Sequence, residues 1–411
     1  MSAKIADIER IFAKISLAIN VCGRVTEILL AFLGVFISIQ FFYYLFVFSR
    51  LAGYRQEVAA NRESVSDGTP SGEAAPGVSV LVCAWNELGN LNELLPLLDA
   101  QEYPEFEVIV LDDRSQDGTE DFLKENAAKW PHVRSVRIDT EYPHITPKKY
   151  ALTVGMKHAR YPVALMTDAD CRPASPGWIA SMASQLSADK EIVLGFSPYY
   201  EEAGLLNWFI RCETFYTAVQ YLSLAVVKRP YMGVGRNLMY RTALFFQHKG
   251  FYHHKHIVGG DDDLFMNQAA TTRNTAINLA PGSFVYSYPK LSWKSWLTQK
   301  KRHLSVGKHY RHANKIRLGL LSVSHVGVWV TGLLALTWGV YRQDVFVLQI
   351  IGGAFVLRWL TQTIVLQAIN KRLDRTLTWF SFIPMDFALF IYYTGMSGLV
   401  LSRRRKKVVW R

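Results

Sequence analysis

Charge is scarce in this chain. Of its 411 residues only 19% are Asp, Glu, Lys or Arg, whereas 50% are hydrophobic and 13% aromatic, an apolar balance for a soluble protein. Cysteine is scarce too. Cys22, Cys83, Cys171 and Cys212 form no CxxC pair, so neither a zinc site nor a disulfide framework is indicated, and a reducing compartment fits. Two phosphate-binding signatures are missing. There is no GxxxxGK[ST] loop, and no GxGxxG joins a first strand to a helix; the similar string GVGRN (233–237) lies far downstream. Walker-type and dinucleotide-type binding therefore lack support. A divalent cation is the remaining means of holding a diphosphate.

The apolar excess is concentrated in runs. Thr26–Phe48 has the length that spans a hydrocarbon core, interrupted only by Glu27, and Leu318–Val340, Val345–Ile369 and Thr376–Leu401 are three further candidates. The first run is too long and too far from the N-terminus for a simple cleaved signal peptide, and no small-residue cleavage site follows it. The composition predicts an integral membrane protein. Positive charge flanks the runs. Nine Lys or Arg and no Asp or Glu lie between Lys290 and Arg317, and the tail reads SRRRKKVVWR. Such clusters beside spans point to anionic lipid headgroups on the cytoplasmic side, not to nucleic acid. Three full spans after Arg317 would put the basic tail on the wrong side. The last run, which contains Pro384 and Asp386, is therefore the one expected not to cross. Arg358 and Asp386 are expected to pair, because isolated charges within a membrane are costly.

Composition also divides the chain. Residues 1–53 read as an amphipathic segment, with Ile5, Ile8, Ile11, Phe12 and Ile15 on one side, followed by a transmembrane helix. Residues 54–77 are a solvated linker rich in Gly, Pro, Ser and Glu. Residues 78–289 form a region of alternating strand and helix patterns, 290–317 a basic interfacial segment, and 318–411 the C-terminal membrane segments and tail. Within 78–168, strands are predicted at 78–85, 106–113, 133–139 and 163–168, separated by helices at 90–101, 117–130 and 148–161. Alternation of this kind gives a parallel sheet with helices on both faces. Ligands bind outside the carboxyl ends of such strands, where three strands here deliver Trp85-Asn86-Glu87, Asp112-Asp113 and Asp168-Ala169-Asp170.

The last of these raises a physical problem. Two carboxylates one residue apart repel each other unless a cation sits between them or one is protonated. Mg²⁺ or Mn²⁺ prefers hard oxygen ligands and takes one or two carboxylates with substrate phosphates, so Asp168 and Asp170 are candidate metal ligands. The competing reading is a strand-end turn with a helix-capping aspartate.

VSVLVCAWNE, VIVLDDRSQDGT, Lys148 with Ala151-Leu152, and MTDADCRP, in this order and spacing, resemble the inverting glycosyltransferases of family 2 over about residues 76–310. Downstream, YMGVGRNLMYR is similar to that family's glycine-rich acceptor-side segment and GGDDDLFMNQ to its acidic motif. QKKRH (299–303) is similar to the (Q/R)xxRW motif of membrane-embedded members such as ceramide glucosyltransferases and the hyaluronan and cellulose synthases.

The resemblance implies an α/β fold of GT-A (Rossmann-like) type with N- and C-terminal transmembrane helices and a nucleotide-sugar donor, with a lean to UDP. It places Asp112 and Asp113 on the base and ribose, with Asn86 and Glu87 near the nucleoside. Asp168 and Asp170 would hold the metal–diphosphate, and Gln299 and Arg302 would clamp the diphosphate beside the membrane. One of Asp261, Asp262 and Asp263 would be the base. Alignment on Gly-acidic-Asp selects Asp262, and alignment on the following LFM selects Asp263. Lys148 is either a donor-site residue or an ordinary helix-surface lysine.

His303 stands where the family has Trp, which puts the acceptor in doubt. The implied acceptor is a membrane lipid or lipid-linked molecule. A processive polysaccharide synthase is the alternative within the class, and an inactive membrane scaffold or transport protein the alternative outside it. His253, His254 and His256 read as a solvated loop, not a metal cluster. The aromatic stripe over 204–228, which carries Arg211 and Glu213, is either an interfacial helix packed on the catalytic domain or an ordinary core helix.

Overall fold

The computed structural model describes residues 24–56 and 75–401, the last four by backbone alone. The expected amphipathic segment before residue 24 lies outside the described residues, as do most of the linker and the basic tail.

A long helix, α1 (Arg24–Ala52), leads into the chain. The catalytic unit follows as β1 (Val78–Ala84), α2 (Leu88–Asp99), β2 (Phe106–Asp113), α3 (Thr119–Glu125), β3 (Val133–Ile138), α4 (Pro147–His158) and β4 (Val163–Asp168). After these come β5 (Cys171–Pro173), α5 (Trp178–Ala183), β6 (Ile192–Leu194), α6 (Leu205–Val226), β7 (Leu238–Arg241), α7 (Thr242–Gln247), α8 (Asp263–Ala269), β8 (Thr275–Ile277) and β9 (Val285–Ser287). The chain then enters α9 (Trp293–Val306), α10 (His312–Arg342), α11 (Val345–Asn370) and α12 (Phe382–Leu401).

The strands from β1 to β4 are near-continuous apolar runs, as strands covered on both faces must be. Seven strands form one sheet in the order β3-β2-β1-β4-β7-β6-β8, and β5 pairs with β9 apart from it. The pairs β1–β2, β2–β3 and β1–β4 are parallel, whereas β7 runs antiparallel to both β4 and β6. Chain order reverses between β1 and β4, so the crevice opens beyond the carboxyl ends of these two strands. The register is aligned there: Ala84 lies opposite Asp112, and Cys83 opposite Asp168.

The two faces of the sheet bury different partners. Val80, Val82 and Val110 pack with Leu94, Leu98 and Trp178 of α2 and α5. Leu81, Ile109 and Leu111 belong to a second core that runs through α4 and α6 to Tyr44, Phe48, Leu366 and Phe382. The catalytic sheet and the helical bundle therefore share one apolar interior, with α6 as the seam. On α6, Phe209, Cys212, Phe215, Tyr216, Val219 and Leu222 are all buried, which is the core-helix reading with packing against the catalytic domain. Its charges are paired, Arg211 with Glu201 at 2.7 Å and Glu213 with Lys300.

Three helices, α1, α10 and α11, are long and apolar enough to cross a membrane. Large apolar side chains on them, Phe32, Val323, Leu334, Leu360 and Ile364 among them, stay exposed by the protein itself, as hydrocarbon-facing residues do. The helix α12 is not in that set among the described residues, and it begins at Phe382, preceded by a single 3₁₀ turn at Trp379–Ser381. Arg358 and Asp386 meet as expected. The guanidinium donates through both terminal nitrogens, each at 2.7 Å, to the two carboxylate oxygens, and both side chains are fully buried. Trp329 Nε1 and Trp359 Nε1 donate to the same carboxylate at 3.1 and 3.2 Å.

Candidate active site

The carboxyl end of β4, the first turn of α4, the glycine-rich segment before β7, the turn before α8 and α9 converge on a cavity of about 500 Å³. Its walls include Lys148, Asp168, Asp170, Arg236, Asp261, Asp262, Asp263, Gln299 and Arg302, and it reaches Tyr310, Leu318 and Tyr393 at the helical bundle. Six of the expected site residues thus come together with both residues of the QxxR pair. Asn86, Glu87, Asp112 and Asp113 do not line this cavity. They occupy the same sheet edge beyond it.

The aspartate pair after β4 is resolved asymmetrically. Lys148 Nζ, in the first turn of α4, donates to Asp168 Oδ1 at 2.8 Å and lies 3.3 Å from Asp261 Oδ2. One cation therefore neutralises two carboxylates from separate motifs, and the lysine lies in the cavity wall, not on an open helix surface. Asp170 has no such partner. Among the described residues its one side-chain hydrogen bond is the weak Cys171 thiol donor at 3.6 Å, and burial together with the Asp168 charge outweighs the Arg236 and Lys290 charges and raises its carboxyl above the usual range. Asp170, with the oxygen of Asp168 that Lys148 does not take, is a donor set that suits Mg²⁺ or Mn²⁺ completed by phosphate oxygens. Among the described residues, no group of three or more His, Cys, Asp or Glu side chains gathers to hold a metal without such completion.

The acidic motif is built by glycines. Gly259 and Gly260 both have positive φ, 79° and 72°, which only glycine takes readily, and the turn they make delivers the three aspartates to the start of α8. Asp262 caps that helix: Oδ1 accepts the Asp263 N–H at 2.8 Å, and Oδ2 accepts the Gly235 N–H at 2.8 Å. A Cβ on Gly235 would stand 3.2 Å from that oxygen, so any larger residue there would press on the Asp262 carboxylate.

The three carboxyls differ. Burial pushes up Asp261, but Lys148 and then Lys149 outweigh it and hold it below its ordinary range. Burial and the neighbouring Asp261 charge raise Asp262 to about 6. Asp263 is raised further by burial and Asp262, and its Oδ2 accepts from Tyr310 Oη at 2.8 Å.

At the outer edge, Asn86 and Arg114 have φ of 54° and 60° immediately beyond β1 and β2, and the two loops are laced together. Asn86 N–H donates to Ser115 Oγ at 2.8 Å, and Gln116 N–H to Asn86 Oδ1 at 2.7 Å. Asp113 is held by Arg114 and Asp112 by Arg137. Burial, with Asp170 and Asp168 adding to it, raises Glu87.

The histidine loop departs from the solvated reading at one position. His254 is buried, its ring nitrogens have no partner, and burial with Lys149 lowers it to about 4. Its carbonyl and that of Ile257 accept from Lys149 Nζ at 2.7 Å each, which ties the loop before Gly259 to α4. Sequence reasoning passed over Lys149, Arg236, Tyr310 and the Glu213–Lys300 pair, all of which touch or brace the cavity. Only Arg236 carried a local signal, as part of the glycine-rich string.

The comparisons with known proteins agree with this architecture. Residues 79–251 match the family Glycosyl transferase family 2, and residues 167–395, more than half of the chain, match Glycosyl transferase family group 2. The glycosyltransferase AglE of Haloferax volcanii is 26% identical over 114 residues, 27% of this chain and 36% of that protein, so the chain spans about a third of the length of that relative. The mannosyltransferase PcManGT of Pyrobaculum calidifontis, solved in complex with GDP-Man and Mn²⁺, superposes with a TM-score of 0.56 at 18% identity, over 85% of this chain and 98% of that one. That likeness is one of fold.

Proposed function

The chain belongs to the glycosyltransferases of family group 2, and we propose that it moves a hexose from a nucleoside-diphosphate sugar to a membrane lipid or lipid-linked acceptor, with inversion. The observation that carries this reading is the single cavity that joins the Asp168–Asp170 pair, the raised Asp262 carboxyl and the Gln299–Arg302 pair to the top of the apolar helices.

The acceptor hydroxyl gives its proton to Asp262 as its oxygen bonds to the anomeric carbon. The bond from that carbon to the diphosphate oxygen breaks, and the nucleoside diphosphate leaves with the electron pair. A carboxylate near 6 is ionised at neutral pH yet basic enough to share the proton. Asp262 is therefore the favoured base over Asp261, which Lys148 holds acidic. Gln299 and Arg302 receive the charge that accumulates on the leaving diphosphate. Asp168 and Asp170 would hold Mg²⁺ or Mn²⁺, which when bound supplies further neutralisation of that charge. Asn86, Glu87, Asp112 and Asp113 would meet the nucleoside at the outer edge, with UDP the preferred carrier.

In this reading residues 78–289 are the catalytic domain, 290–317 the interfacial segment against anionic headgroups, and 318–411 the C-terminal membrane part. The catalytic domain lies on the cytoplasmic side of a bacterial inner membrane or its equivalent, where nucleotide sugars are found.

The test is a donor screen on detergent-solubilised protein with Mg²⁺ or Mn²⁺. It follows nucleoside diphosphate release with and without membrane lipid, beside Asp170→Asn and Asp262→Asn. Release that rises with lipid and disappears in both variants is expected. A long polymer product would instead identify a processive synthase. No release from any donor would leave the inactive-scaffold reading.

A further inference from the structure

Arg236 stands in the cavity wall without a carboxylate partner among the described residues. Several other arginines of the unit are paired with carboxylates: Arg114 with Asp113, Arg137 with Asp112, and the buried Arg172 with Glu93. Arg236 is instead positioned by uncharged groups. Its guanidinium lies 4.4 Å from the centroid of the Tyr199 ring, and one terminal nitrogen donates to the Ser197 carbonyl at 3.1 Å. The other terminal nitrogen is buried and has no hydrogen-bond partner among the described residues. A planar donor fork held in place with one arm unused is costly to leave unmet.

Its location limits what could meet it. Arg236 lines the same cavity as Asp168, Asp170, Gln299, Arg302 and His303, and it acts electrostatically on Asp170 and on His303. It also follows Gly235, whose N–H anchors Asp262. An oxyanion shared between the metal end of the cavity and α9 reaches all of these groups. A neutral sugar would leave the arginine's charge uncompensated.

We infer that Arg236 is a binding residue for the donor's diphosphate, its free arm donating to a phosphate oxygen in the cavity that Arg302 also lines. This rests on the donor reading above. The cation over Tyr199 is preformed, so the contact needs no rearrangement of the guanidinium.

The test uses the full chain in detergent with Mn²⁺, titrated with UDP and GDP and with UMP and GMP, for wild type, Arg236→Met and Arg236→Lys. Loss of a charge-assisted bond predicts diphosphate affinity weaker by roughly tenfold or more in Arg236→Met, with Arg236→Lys between the two. Monophosphate binding should be nearly unchanged. The ligand-free variant should melt within about 2 °C of wild type, since what it loses is one bond to a carbonyl and the contact with the Tyr199 ring, against which Met still packs. Unchanged diphosphate affinity in Arg236→Met overturns the assignment, and a raised KM for the lipid alongside it would move the oxyanion to the acceptor. Equal losses of mono- and diphosphate binding with lowered melting in both variants would make Arg236 structural and also overturn it. If wild type binds neither UDP nor GDP, the donor reading fails first, which separates the two failures.

Discussion

Lys148 Nζ donates to Asp168 Oδ1 at 2.8 Å and, 3.3 Å away on its other side, faces Asp261. Asp168 ends β4 and Asp261 opens the acidic turn, so a single ammonium ties the donor end of the cavity to the base end. It also answers the repulsion built into Asp-x-Asp. One carboxylate is already paired, which leaves Asp170 as the group with unmet demand for a cation.

Replacing Lys148 with Met should therefore do more than remove one contact. Lys148 lowers both Asp261 and Asp262, so its loss raises both carboxyls and moves the acid limb of the rate profile to higher pH. A loss of roughly 100-fold in kcat/KM at neutral pH is expected from the removal of one preorganised charge. A lysine of no consequence would leave both the rate and the limb where they were.

The acid limb itself should report Asp262. An acid raised from its ordinary value to about 6 is mostly ionised at pH 7 and progressively protonated below 6. Only the ionised form accepts the acceptor's proton, so kcat/KM should fall tenfold per pH unit below that point. Asp262→Asn should lose about 10²–10⁴-fold, the usual contribution of a general base. Asp263→Asn, which spares the groups bound by Asp262 and keeps a side chain for Tyr310, should lose less. A larger loss in Asp263→Asn would transfer the base to that residue.

The sheet was readable from the chain because parallel strands covered on both faces are plain apolar runs. Phe106–Asp113 and Val163–Asp168 fall where the runs predict them. The acidic residues at their ends were readable for the same reason: a polar pair terminating a buried run stands out. What was hidden depends on contacts across long separations. Glu213 meets Lys300 87 residues away, and Tyr310 reaches Asp263 across 47. Arg236 acquires meaning only from Tyr199 and Ser197, which follow β6. The helix α6 was ambiguous because burial nearly all round erases the one-sided stripe on which periodicity arguments rest. Asp112 and Asp113 illustrate a further limit. Their place at the sheet edge was predictable, but their pairing with Arg137 and Arg114 was not.

Metal dependence should be visible in binding as well as in turnover. Because Asp170, unlike Asp168, forms no salt bridge among the described residues, chelation with EDTA should weaken UDP or GDP binding to wild type. Asp170→Asn should start from the weakened level and lose little more on chelation. Calorimetric titration of the four combinations tests this. An equal further loss in the variant would mean that the cation is held elsewhere in the cavity.

Arg358 and Asp386 provide a test of the membrane part that is independent of the chemistry. Both side chains are fully buried and joined by two 2.7 Å hydrogen bonds. Breaking a buried pair by removing one partner leaves an uncompensated charge and typically costs about 3–5 kcal/mol, whereas replacing both with apolar residues of similar size is often close to neutral. Arg358→Met and Asp386→Leu should each sharply lower the melting temperature in detergent. The double variant should recover much of the loss, short of wild type because Trp329 and Trp359 lose their shared acceptor. His325 adds to the coupling, since its ring nitrogens lie 3.4 Å from the Arg358 guanidinium and 3.0 Å from the Asp386 carbonyl. A double variant no more stable than either single one would show that the two charges do not hold α11 and α12 together.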